Sequence, residues 1–220
     1  HLHDIVKIGI DDAILNKEGK LEEARKLFLL SIELIIVVAV AMACGISAIS
    51  KEFTPFFFGK GYDECIRLII ALSPVLVIKG LSEIARMQYL IPNHKEKIFI
   101  ESVFCGAGVN FVVNWFLISR LGALGAVIGT LVAELVSCVW QYIKMNKYIS
   151  CLTTIFKSMI YVVFGVIMFT IVRVVALCFN GGIVALFFEV LTGIITYAVI
   201  CLIYWKVTKN KIVCLVIKKK

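Results

Sequence analysis

At 220 residues the chain has the length of one or two soluble domains, yet 61% of it is hydrophobic and 17% charged, and its mean hydropathy is +0.98. That composition excludes both a disordered chain and a water-soluble globular core; at about 20 apolar residues per crossing it suffices for roughly six membrane-spanning helices. The net charge of +8 does not point to nucleic acid, because the cations fall in short segments between apolar runs, where the membrane surface accounts for them.

In chain order, residues 1–26 are charged and begin without methionine, and so read as a cytoplasmic connection cut from a longer chain. Within them Leu21–Leu29 has the apolar rhythm of a helix, expected to lie on the membrane surface and lead into the first span. Six apolar runs follow, at Leu27–Ile49, Ile66–Leu90, Ile98–Ile118, Leu121–Ile143, Thr154–Phe179 and Ile183–Trp205. None alternates as a barrel strand would, so the fold class is all-α, a polytopic transmembrane helix bundle. The second run is the least apolar, with Lys79, Glu83 and Arg86 after Pro74, so it cannot face lipid on every side. The connections at Ser119–Gly122 and Asn180–Gly182 are short enough to require tight hairpins.

Lysine and arginine fall unevenly: 17 lie in residues 1–26, 86–97, 144–157 and the basic tail 206–220, against 4 (Lys51, Lys60, Arg67, Arg120) on the other side, with Lys79 and Arg173 inside. The bias predicts that both ends of the chain are cytoplasmic, which requires an even number of spans. In the tail, Ile212–Ile217 precedes three lysines, a pattern suited equally to an interfacial anchor on anionic lipid and to a solvated end.

A charge in the hydrocarbon region costs at least about 2.5–3.5 kcal/mol, so each one demands a partner or water. Lys79, Glu83 and Arg86 share one helix face; they either neutralise one another or line a wet cavity whose cations attract an anionic head group. Pro74, one to two turns earlier, is expected to bend that helix. Asn110 and Asn114 form a polar stripe suited to bonding a neighbouring helix or a hydroxyl-rich ligand. Glu134 has no opposite charge within a turn of its own helix, so it needs a partner on another helix, a proton or water, and it is a candidate for ion coupling. Arg173 and Glu189 lie equally far from Gly181 and are expected to pair across the last hairpin. Gly125, Gly129 and Ala133 make a small-residue face for helix packing.

The eight cysteines (Cys44, Cys65, Cys105, Cys138, Cys151, Cys178, Cys201 and Cys214) include no Cys-x-x-Cys pair and have no histidines clustered near them, so they read as packing residues and no metal or other cofactor is expected. The chain contains no G-x-x-x-x-G-K-[ST] loop, no H-E-x-x-H and no G-x-S-x-G elbow, and is read as a non-enzyme.

Several pieces resemble, in order and spacing, the polysaccharide or oligosaccharide flippases of the multidrug, oligosaccharidyl-lipid and polysaccharide exporter superfamily. They are Gly19-Lys-Leu-Glu-Glu-Ala-Arg-Lys26, Phe56-Phe-Phe-Gly-Lys-Gly-Tyr62, Gln88-Tyr-Leu-Ile-Pro-Asn93, Asn110 with Asn114, and Leu121-Gly-Ala-Leu-Gly-Ala126 through Thr130 and Ala133-Glu134. The resemblance implies a bacterial cytoplasmic (inner) membrane protein of about 12 to 14 spans, whose two lobes enclose a cavity that opens alternately to each side. This chain would be its later part, with residues 27–143 completing the second lobe, 144–205 an additional hairpin, and the N-terminal lobe missing. It also implies an undecaprenyl-diphosphate-linked oligosaccharide as substrate. Lys79 and Arg86, with Glu83 between them, would hold the diphosphate, and Gln88, Asn110 and Asn114 the sugars. A cation-coupled drug exporter of the same superfamily would instead favour an acidic cavity around Glu134, and a membrane scaffold or glycan-modifying enzyme is the reading from another class.

Overall fold

The computed structural model describes residues 2–178 and 182–208, with side chains from residue 22 onward. The Asn180–Gly181 turn, the tail from residue 209, and the side chains of Lys7, Lys17 and Lys20 lie outside the described residues. Among the described residues there are eight α-helices and no strands: α1 (Leu2–Phe57), α2 (Glu64–Leu72), α3 (Val75–Ile84), α4 (Glu96–Leu121), α5 (Ala123–Asn146), α6 (Leu152–Ser158), α7 (Ile160–Ala176) and α8 (Ile183–Thr208). A π-helical turn, Ala85–Leu90, extends α3.

With α2, α3 and the π turn read as one span and α6 with α7 as another, six helical segments are long and apolar enough to cross a membrane. The chain is a multi-pass membrane protein, and the second apolar run belongs among the spans. Leu21–Leu29 forms no separate element, because α1 runs through it without a break.

The second span is broken where Pro74 removes a backbone donor. Its missing N–H would have bonded the carbonyl of Ile70; the Ser73 hydroxyl donates to that oxygen instead at 3.0 Å. Ser47 of α1 donates in turn to Ser73 at 2.7 Å, which ties the break to the first helix.

Helix α1 is the mast of the bundle, packed by α2 and α3 on one side and by α6, α7 and α8 on another, while α4 and α5 form a hairpin that reaches α1 through α2 and α3. Apolar helices gain little from burying oil against oil in lipid, so association relies on close backbone approach and on interhelical hydrogen bonds. Both are present. Ile32, Ile36 and Val40 of α1 are buried, Gly80 of α3 meets Ile35, and Gly165 of α7 meets Val40 and Cys44. Tyr197 of α8 donates to the Val37 carbonyl at 2.9 Å and Tyr142 of α5 to the Leu81 carbonyl at 3.1 Å.

The small-residue face of α5 lies against α4. A Cβ at Gly125 would stand 2.5 Å from the Leu117 carbonyl oxygen, and one at Gly129 would collide with the Asn114 carboxamide. Gly122, at φ 57, makes the turn between the two helices in a conformation that favours glycine. Gly125→Ala and Gly129→Ala should each destabilise the protein by about 1–3 kcal/mol through overpacking, whereas Gly108→Ala, where nothing lies within 4 Å, should not. Thermal unfolding in detergent would decide; equal stabilities for all three would contradict this packing.

Candidate functional site

Three helices each turn a polar stripe toward one another. On α3 and its π turn, Lys79, Ser82, Glu83 and Arg86 follow helical spacing; on α5, Glu134, Ser137 and Gln141 do the same; on α4, Gly106 and Asn110 lie one turn apart. Together they line a recess of about 400 Å³, with Phe99, Val103, Ala107 and Ala133 completing its walls.

Lys79 Nζ lies 2.6 Å from Glu134 Oε1, so the deep carboxylate of α5 finds its partner on α3. The lysine side chain is 61% exposed and the glutamate 24%, as suits a pair at the wall of an open recess. The second pair is local, Arg86 donating to Glu83 three residues earlier through Nε at 3.2 Å and through a second guanidinium nitrogen. Arg86 also lies over the Phe99 ring, 5.2 Å from its centroid. At the floor, Gln141 donates to Ser102 at 2.9 Å. The Gln141 carbonyl oxygen is buried without a hydrogen-bond donor, and Ser82 lies against Cys138 of α5.

Of the sequence-predicted residues, Lys79, Glu83, Arg86, Asn110 and Glu134 are brought together. Gln88 does not line this recess. It is exposed and borders a separate, shallower one with Ile35, Gly80, Met87 and the far flanks of Lys79 and Glu83, because two residues on from Arg86 it stands about 200° round the helix from that side chain. Asn114 lies one turn beyond the recess, where it donates to Asn110 and packs on Gly129; the asparagine stripe is therefore divided between recess and helix packing.

The expected Arg173–Glu189 pair does not form. Arg173 bonds Glu52 of α1 at 2.8 Å and the Ala48 carbonyl at 3.1 Å, because α7 packs its arginine face on α1 and a carboxylate and a backbone acceptor both lie within reach there. Sequence reasoning also missed Ser82, Ser137 and Gln141. Their signal was available: Ser137 and Gln141 stand three and seven residues after Glu134, and Ser82 three after Lys79. Missed too was Glu33, in the first apolar run, which accepts a hydrogen bond from Tyr161 at 2.7 Å, while Trp205 donates to the same tyrosine at 2.9 Å.

Among the described residues no group of three or more His, Cys, Asp or Glu side chains is placed to hold a metal ion. The chain matches no protein-family model, no curated protein and no solved structure.

The cross-helix pair has a measurable signature. In a double-mutant cycle on thermal stability, Lys79→Met and Glu134→Gln should couple by about 0.2–1 kcal/mol, the range for a pair this exposed. Strict additivity would show that the two side chains do not interact.

Proposed function

We propose that the chain is the later part of a flippase that carries an undecaprenyl-diphosphate-linked oligosaccharide across the bacterial cytoplasmic membrane for surface polysaccharide synthesis. The observation that supports this reading is the recess itself: a polar space between α3, α4 and α5, with two cations, two carboxylates and an asparagine on its walls. A diphosphate needs several N–H donors in a wet site to leave water. Lys79 directs one N–H at Glu134 and Arg86 two at Glu83, leaving about two on the lysine and about three on the arginine for an incoming anion. Asn110 is suited to a sugar hydroxyl. The lipid tail would stay among the acyl chains, and the missing N-terminal lobe of the same protein would close the open side of the recess. No covalent chemistry is required, and rocking of the two lobes would expose the site to each leaflet in turn.

The drug-exporter alternative asks for an acidic cavity. Here Glu134 is engaged by Lys79 and Glu83 by Arg86, so the recess is balanced in charge, and that alternative is the weaker one.

In cells, Lys79→Ala combined with Arg86→Ala should lower surface polysaccharide at least about tenfold at unchanged protein level, because each lost charge-assisted bond is worth roughly 1.5–3 kcal/mol. Wild-type amounts of polysaccharide would remove both cations from the substrate site. With both ends of the chain cytoplasmic, the last hairpin turn faces outward. A protein keeping only Cys178, which is exposed beside that turn, should react with a membrane-impermeant maleimide from outside intact cells. A protein keeping only Cys151 should stay inert from either side near neutral pH, since burial pushes that thiol up to about 11 and the reactive thiolate grows in only as pH rises toward that value. Labelling of Cys178 solely from the cytoplasmic face would invert the proposed orientation.

A further inference from the structure

A second cavity, of about 420 Å³, lies between α1, α7 and α8, with walls that are apolar apart from Glu189 and Tyr197. Met42, Ile46, Val190 and Ile194 at its edge are exposed, so it opens on the outer surface of the bundle. Glu189 itself is 1% exposed, and neither of its oxygens has a hydrogen-bond donor. An ionised carboxylate left so would cost several kcal/mol, whereas the neutral acid costs far less.

The cation that could satisfy it is already engaged. Glu189 lies within electrostatic reach of Glu52 on α1 and Arg173 on α7, but the guanidinium is committed to Glu52 and the Ala48 carbonyl. On α8 the neighbouring Tyr197 hydroxyl is spent on the Val37 carbonyl. Two carboxylates therefore compete for one arginine, and one of them is better neutral.

We propose that Glu189 is a proton-binding site: it holds a proton in the arrangement described here, and its deprotonation draws Arg173 from Glu52 toward α8. The proton released goes to water, and the carboxylate left behind takes the guanidinium in its place. Protonation thus selects between a clasp joining α1 to α7 and a clasp joining α7 to α8. The inference concerns the last hairpin and does not depend on what the recess between α3, α4 and α5 binds.

The test is labelling of the full chain in lipid bilayers with dicyclohexylcarbodiimide, an apolar reagent that adds to protonated carboxyls and not to carboxylates, read out by mass spectrometry. An adduct is expected on Glu189 at about pH 6, falling about tenfold for each unit of pH above the titration of the group; Glu52 should stay unlabelled. In Glu52→Gln the freed arginine turns to Glu189, and the adduct at the same pH should fall at least about tenfold. Glu189→Gln, a neutral stand-in for the acid, should melt at the wild-type temperature at about pH 6. An unlabelled Glu189, labelling equal in wild type and Glu52→Gln, or a lowered melting temperature for Glu189→Gln would each overturn the proposal.

Discussion

An ionised side chain within an apolar bundle must meet its partner inside the protein, and that requirement organises the six spans. Lys79 reaches Glu134 across α3 and α5, and Arg173 reaches Glu52 across α7 and α1. Glu33 of α1 accepts from Tyr161 of α7. Each of these contacts joins two helices far apart in sequence, and each fixes a rotation about the helix axis that apolar packing alone, indifferent to which leucine meets which valine, would leave loose. Rotation in turn decides which stripe of each helix is turned inward.

The bundle has two wings on one mast. On one side α7 and α8 press on α1 through Gly165 and through Tyr161 and Tyr197, whose hydroxyls both find acceptors on α1. On the other, α3 approaches α1 through Gly80 and holds the α4–α5 hairpin through Tyr142 and the Lys79–Glu134 pair. The α4–α5 hairpin is close-packed at its turn, where Gly125 and Gly129 bring the backbones together, and further along, where Gly106 still packs on Ala133 and Ser137, the polar residues Asn110 and Glu134 line the recess beside it.

Much of this was legible in the sequence because hydropathy and helical spacing are local. The spans, the break at Pro74, the small-residue face of α5, and the inward turn of Lys79, Glu83 and Arg86 all follow from residues within a few turns of one another. Partner choice does not. Arg173 is as well placed in sequence for Glu189 as for any other carboxylate, and only the packing of α7 on α1 puts Glu52 nearer. Glu134 could be read as needing a partner on another helix, but which helix is a property of the assembled bundle. Gln88 is a different case: amide chemistry and the family resemblance group it with the asparagines, whereas helical spacing, about 180° from Lys79 and about 200° from Arg86, already turns it away from their face.

That π turn accounts for much of the geometry at the end of the second span. It inserts one residue relative to a regular helix, and each residue in an α-helix rotates the next by about 100°. Residues before the turn keep the register that aims Lys79 and Glu83 at the recess, while those after it are swung round. Tyr89 thereby reaches Phe28 of α1, ring centroids 5.8 Å apart, and Leu90 becomes fully buried. Lys95, beyond the turn, donates to the Tyr89 hydroxyl at 3.2 Å and lies over the Tyr148 ring. A regular helix through Ala85–Leu90 would keep either the recess face or the contact with α1 in register, but not both. With the break at Pro74 above it and the widened turn below, the segment carrying Lys79 and Glu83 can face α5 while the ends of the same span stay fastened to the mast.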